Sequence, residues 1–261
     1  MRMWQCATAV GLAVISFGAA QAQSPVGSDR LFLSFAEDAS IANRQWWEAQ
    51  LDYADGSDDF PWDRTVLRGV FAINPVKSLE IGGRVGFGST SAPDDIPDGS
   101  GATDLDVWGK WSFGTFDSTT FAAGGLVTVP TGDETSGLGT DAFSLKVFGS
   151  MRHKLPNATL TANVGIRMNE DGSLGPGADL DGKTSASLGL GLVLPLSQQV
   201  QFVGEVNLES ARFEDLDSDT RILGGINWSP AKRGVFRGAV AFGLTDGAPD
   251  VNLILGYAYT F

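Results

Sequence analysis

The sequence predicts an all-β fold: an antiparallel transmembrane barrel of about twelve strands, with short turns at one end and longer acidic loops at the other. Three observations predict it. Segments of about ten residues recur with period-two apolar alternation, their connections alternate long and short, and acidic residues gather in the long connections. A soluble sandwich also alternates, so alternation alone does not say which face is buried. A two-ended rhythm of length and charge does, because a sandwich has no reason to sort its loops that way.

In chain order, residues 1–22 read as a secretory signal. Arg2 supplies the positive end, Cys6 to Ala19 the apolar stretch, and Ala20-Gln21-Ala22 a small-x-small cleavage site, so the mature chain is expected to start at Gln23. The apolar stretch falls short of the roughly 20 residues that a spanning helix requires. Cys6 is the only cysteine of the chain and falls within the removed segment, which leaves no thiol chemistry. Residues 23–43 form a separate, periplasmic N-terminal segment. Arg30 to Glu37 leaves three readings open, an extra strand, a short helix or a plug tucked into the lumen, and a non-barrel segment is favoured.

The barrel is expected over 44–261, with strands at 44–53, 64–73, 78–88, 103–113, 119–129, 141–151, 158–168, 182–194, 200–209, 220–228, 235–244 and 251–261. One face of each is apolar, as in Leu67, Phe71 and Ile73, or Leu188, Leu190, Leu192 and Leu194, and this face is expected to meet lipid. The other face carries the candidate lumen residues Glu48, Arg64, Arg68, Glu80, Arg84, Asp104, Asp106, Lys110, Lys146, Arg167, Glu205, Arg221 and Arg237. With many of the 34 glycines and with Ser, Thr and Asn on the same face, the expected interior is polar and glycine-rich.

The six odd-numbered connections, 54–63, 89–102, 130–140, 169–181 and 210–219, which are long, and the small final loop 245–250, hold 19 of the 31 acids and one base, Arg212. The short turns instead carry Lys77, Arg152, His153, Lys154, Lys232 and Arg233. Trp46, Trp47, Phe113, Phe116, Trp228, Tyr259 and Phe261 fall at the short-turn end, where interfacial aromatics collect. The last strand, Val-x-Leu-x-Leu-x-Tyr-x-Tyr-x-Phe, ends on Phe261 and resembles the C-terminal strand recognised by the outer-membrane assembly machinery.

Catalytic chemistry is scarce. The only histidine, His153, sits in a basic turn, where a solvated turn residue is a better reading than the base of a Ser/His/Asp triad. One histidine and no mature cysteine disfavour a zinc or copper site. Acidic runs such as 55–59, Asp94-Asp95, 179–182 and 214–219 match no calcium-loop spacing and read as solvated charge, with divalent bridging to lipopolysaccharide as the weaker alternative. The run Gly82-Gly83-Arg84-Val85-Gly86-Phe87-Gly88 opens no helix and so reads as strand, not as a phosphate loop. Asp104 and Asp106 share a face with arginines, which suggests ion pairs and not a pair of glycosidase acids.

The segment Val127-Thr128-Val129-Pro130-Thr131-Gly132-Asp133, the loop Gly137-Leu138-Gly139-Thr140-Asp141 and the later Ala162-Asn163-Val164-Gly165-Ile166-Arg167 together resemble the family labelled MetA-pathway of phenol degradation, a set of outer-membrane barrels. The resemblance runs from about Trp46 to Phe261. It implies a transport or channel role and supplies no catalytic residues.

The expected function is an outer-membrane channel or transporter for small molecules, aromatic or hydrophobic ones among them, with no enzymatic activity, cofactor, metal or nucleic-acid partner. Lipid, lipopolysaccharide, the assembly machinery and a solute are its expected partners. The alternatives are a structural or surface-binding barrel with a closed lumen and, further off, a lipid-modifying enzyme.

Overall fold

The computed structural model describes residues 29–42, 44–57, 59–91, 98–175 and 178–261. The signal expected at 1–22, the start of the 23–43 segment, Asp58 and Asp94-Asp95 lie outside the described residues.

The strands in chain order are β1 (Trp46–Ala54), β2 (Asp63–Val76), β3 (Leu79–Ser91), β4 (Gly99–Ala102), β5 (Leu105–Phe116), β6 (Thr119–Val129), β7 (Ser144–Leu155), β8 (Ala158–Asn169), β9 (Gly172–Leu174), β10 (Ala178–Leu180), β11 (Ser185–Pro195), β12 (Val200–Glu209), β13 (Asp219–Trp228), β14 (Gly234–Gly243) and β15 (Val251–Thr260). Each long strand pairs antiparallel with its neighbours, and β1 pairs with both β2 and β15, which closes the sheet on itself. β4 pairs only with the far end of β3 and leads through Thr103-Asp104 into β5, while β9 and β10 form a separate hairpin. The wall is therefore a closed antiparallel barrel of 12 strands. Closure leaves no unpaired edge, the condition for strands to cross lipid.

The short turns are tighter than the sequence suggests. β7 and β8 stay in register past Arg152↔Thr161 and His153↔Leu160 to Leu155↔Ala158, so the expected turn at 152–157 shrinks to Pro156-Asn157. The ladder ends where Pro156 withholds an amide donor. Pro75 acts likewise in β2, where the pairing with β3 shifts register between Ile73 and Val76.

Alternation sorts the two faces. Leu67, Phe87 and Leu255 point outward and are 60%, 63% and 61% exposed, and more than two dozen other large apolar side chains share that surface. So much exposed hydrocarbon is stable only against lipid. At the short-turn end, ring contacts run Trp228–Phe236–Tyr257–Trp47–Tyr259–Phe261 with centroids 4.9–6.4 Å apart. Trp46 is an exception to the expected belt. It lies on the opposite face from Trp47, is 3% exposed, and stacks under the Arg30 guanidinium at 4.0 Å inside the barrel.

The interior also departs from the expected polar, glycine-rich lining, because residues 29–42 pass through the lumen and bring apolar side chains with them. Leu31 and Phe32 pack on inward-facing Val193, Val203, Leu223, Ala239, Ala241 and Ile254. Phe35, Ala36 and Ala42 pack on Trp46, Val70, Ala72, Trp108 and Leu126. Among the described residues the only helical turn is a 3-10 turn at Glu134–Ser136, capped by Asp133 and ended by Gly137 in the left-handed region.

Candidate functional site

The lumen divides into two levels. Near the short turns, charged wall residues grip the inserted segment. Glu80 and Lys110 are direct partners in the β3–β5 register, so their side chains project inward side by side, 3.2 Å apart and both fully buried. Arg30 reaches the same Glu80 carboxylate at 2.8 Å, and the Ala42 backbone N–H donates to it at 3.1 Å. Lys110 Nζ also donates to the backbone carbonyls of Phe35 and Asp38 at 3.3 and 2.9 Å.

Two strands along the wall from Lys110, on β7, Arg152 pairs with Asp38 at 2.5 Å and with Asp29 at 2.7 Å. Arg237 pairs with Glu48 at 2.5 Å, lies 4.4 Å from the Phe32 ring, and donates to the Arg30 and Leu31 carbonyls. Nearer the long loops, level with its register partner Arg167, Lys146 holds Glu37 at 2.5 Å. Glu205 accepts the backbone N–H groups of Phe32, Leu33 and Ser34. These buried charges are all paired or hydrogen-bonded, which is the condition for burying them at all.

Toward the long loops, six arginines and three aspartates surround a cavity of about 290 Å³: Arg64, Arg68, Arg84, Arg167, Arg212, Arg221, Asp52, Asp104 and Asp106. Four of the arginines have carboxylate partners. Arg68 meets Asp52 at 3.1 Å, Arg84 meets Asp106 at 2.5 Å, Arg167 meets Glu209 at 2.9 Å, and Arg221 meets Asp219. Arg84 and Asp106 are again register partners on β3 and β5.

Arg64 and Arg212 have no carboxylate partner among the described residues. Arg64 lies 5.9 Å from the Phe60 ring, and Arg212 donates to Asn169 Oδ1 at 3.1 Å beside Phe213. Burial and the neighbouring Arg167 push the Arg212 pKa down to about 10. Asp104 sits between β4 and β5 and accepts the Gly132 and Thr140 N–H groups at 2.9 and 3.4 Å, which ties the 130–140 loop over the cavity. Burial raises its pKa.

The loops carry their own small core of Trp62, Ala142, Leu174, Leu180 and Phe213. Gly137 must be glycine twice over, with φ of +66° and a Cβ position 2.7 Å from the Trp62 ring. Beneath these loops a cavity of about 260 Å³ shares Arg64, Asp104, Arg212 and Arg221 with the arginine cavity. A third, of about 240 Å³, shares Arg84, Asp106, Arg167 and Arg221 with it and reaches down to Phe35, Trp108 and Lys146. Their shared linings set the three side by side between the loops and the inserted segment.

The structure thus places Glu48, Glu80, Lys110, Lys146, Glu205 and Arg237 against the segment, and Arg64, Arg68, Arg84, Asp104, Asp106, Arg167 and Arg221 around the upper cavity. Asp104 does so from a connection, not from a strand. Trp46, Trp108 and Arg152 also face inward, beyond the lumen residues expected from the sequence. Parity marks them: Trp46 shares a face with Glu48 and Gln50, Trp108 with Asp106 and Lys110, and Arg152 with Lys146. Arg212 carried no such signal, because a loop has no period. His153 Nδ1 lies 2.8 Å from Thr119 Oγ1, a cross-strand hydrogen bond at the end of the β6–β7 pair. Among the described residues no group of three or more His, Cys, Asp or Glu side chains is placed to hold a metal ion.

No family model and no curated protein matches the chain, so the resemblance to the MetA-pathway family rests on its motifs alone. Solved structures do match. The COG4313 outer membrane channel from Pseudomonas putida F1 superposes with a TM-score of 0.70 at 13% identity, over 86% of this chain and 98% of that one. The KdgM porin in complex with disordered oligogalacturonate gives 0.59 at 7% identity over 83% and 99%. The translocator domain of the autotransporter NalP from Neisseria meningitidis gives 0.53 at 12% identity over 84% and 88%. At such identities the shared property is the fold: the chain is built as the outer-membrane channel and porin barrels are.

Proposed function

We propose that the protein is an outer-membrane channel for small molecules, held narrow at the short-turn end by residues 29–42. One observation carries this reading: the three neighbouring cavities beneath the loops, which end where the inserted segment meets the wall. A barrel that served only as a scaffold could fill this space with apolar side chains, as small barrels do. Here it is lined by arginines and carboxylates, groups that favour water and ions over an apolar filling. With its short turns in the periplasm, the acidic loops would face outward, near lipopolysaccharide.

The ties between the wall and residues 29–42 favour a second reading, a barrel whose lumen stays shut. Planar bilayer recording separates the two. The mature protein is expected to conduct weakly, and a variant lacking residues 29–42 to give larger, discrete steps. Silence from both, in protein that migrates as a folded barrel, would leave the shut barrel standing.

A further inference from the structure

We propose that the arginine cavity is a binding site for a small organic monocarboxylate, gripped by Arg64 and Arg212 with its apolar body against Phe32 and Leu33. The inference deepens the channel reading and rests on it, since it names the class of solute that would pause above the inserted segment.

Charge supplies the first argument. Arg68, Arg84, Arg167 and Arg221 each have a carboxylate, whereas Arg64 and Arg212 face the same cavity with none among the described residues. Asp104 lies in the same cavity, but its carboxylate is already occupied by the N–H groups of Gly132 and Thr140. A guanidinium removed from water without an anion is costly, and a planar fork of N–H donors matches a carboxylate in both shape and charge. Burial first and the nearby Arg167 second lower the Arg212 pKa to about 10, against the more distant pull of Glu209, Asp106 and Asp104.

Shape and polarity supply the second argument. The cavity is not polar throughout, because Phe32 and Leu33 of the inserted segment and Val66, Leu138 and Ile254 contribute apolar surface to it. Its volume of about 290 Å³ exceeds the roughly 150 Å³ that suffices for benzene. A few convergent charges over apolar walls select an amphiphilic ion, not a bare one. The cavity above, which shares Arg64 and Arg212, gives such a solute its approach from the loops.

Calorimetric titration of the full-length folded protein in detergent tests this, with benzoate and its neutral isostere benzamide as probes. Benzoate is expected to bind saturably and benzamide at least about tenfold more weakly, in line with the loss of a charge-assisted pair. The double variant Arg64→Gln, Arg212→Gln should weaken benzoate about tenfold or more and leave benzamide unchanged, while Arg64→Lys, Arg212→Lys should fall between. Equal binding of the two probes, or an unaltered benzoate affinity in the glutamine variant, would overturn the proposal. If the variants do not fold, the comparison of benzoate with benzamide on the native protein decides alone. Because binding in detergent needs no flux, benzoate binding by a barrel that never conducts would sink the channel reading and spare the site. Conduction without benzoate selectivity would do the reverse.

Discussion

The Glu205 carboxylate accepts the backbone N–H of Phe32 at 2.5 Å, and the same carboxylate takes the next two amides, those of Leu33 and Ser34. A single wall residue on β12 thereby fixes the backbone of the inserted segment without reading its side chains. Glu205→Gln keeps the volume and removes the charge that makes these bonds strong, at an expected cost of about 1.5–3 kcal/mol. In bilayers this variant should open more often than the native protein and approach the behaviour of the protein lacking residues 29–42. An unchanged open probability, with the barrel intact, would show that the segment is held elsewhere.

Lys110 is the buried cation on which Glu80 and two backbone carbonyls of the segment converge. Lys110→Met leaves Glu80 with Arg30 and one amide, and is expected to destabilise the barrel by about 3–5 kcal/mol. Adding Glu80→Gln should cost less in this background than in the native one, where it deprives both Lys110 and Arg30 of their shared carboxylate. Urea titrations of the two single variants and the double variant form the cycle, and simple additivity would refute the coupling.

Gly82 faces inward where the Trp108 indole covers it, and a Cβ there would stand 2.2 Å from the ring. Trp108 is 1% exposed and packed edge-on against Phe35, with centroids 5.4 Å apart, so it has no room to retreat. Gly82→Ala should cost about 1–3 kcal/mol through overpacking and shift the tryptophan fluorescence. Gly69 faces outward with open space around its Cβ position and should accept alanine with little change in the same measurement.

Val164 lies near the middle of β8 on the outer face and is 59% exposed. Val164→Arg in vesicles should destabilise the barrel by about 2–4 kcal/mol, the cost of a cation at the bilayer midplane. In a soluble sandwich the same exposed position would tolerate arginine, so a change under 0.5 kcal/mol would argue against a lipid-facing surface.

Asp133 caps the short turn at Glu134–Ser136, and its pKa is held below the usual carboxylate range, first by the Thr135 hydroxyl and then by Ser136. A lowered folded pKa means the stabilisation is complete above the ordinary value and disappears as pH falls through the lowered one. Amide protection at Ser136 should therefore decline on acidification across that window. In Asp133→Asn it should be nearly independent of pH, and a matching decline there would assign the effect to another group.

The twelve staves, the lipid-facing set from Leu67 to Leu255 and the acidic long loops were all legible in the sequence. A period of two and the spacing of turn residues are local properties that need no knowledge of which strands touch. Strand ends were less legible, as at Arg152, because a ladder continues until a proline or a partner stops it. The arginines of the wall could be assigned to the inner face by parity, but not sorted by partner. Only the tertiary structure set Glu80 beside Lys110 through the β3–β5 register, left Arg64 and Arg212 without carboxylates among the described residues, and packed residues 29–42 into the lumen. Those outcomes depend on register across neighbouring strands and on a segment without periodicity, and such contacts between distant residues leave no mark on the order of amino acids along the chain.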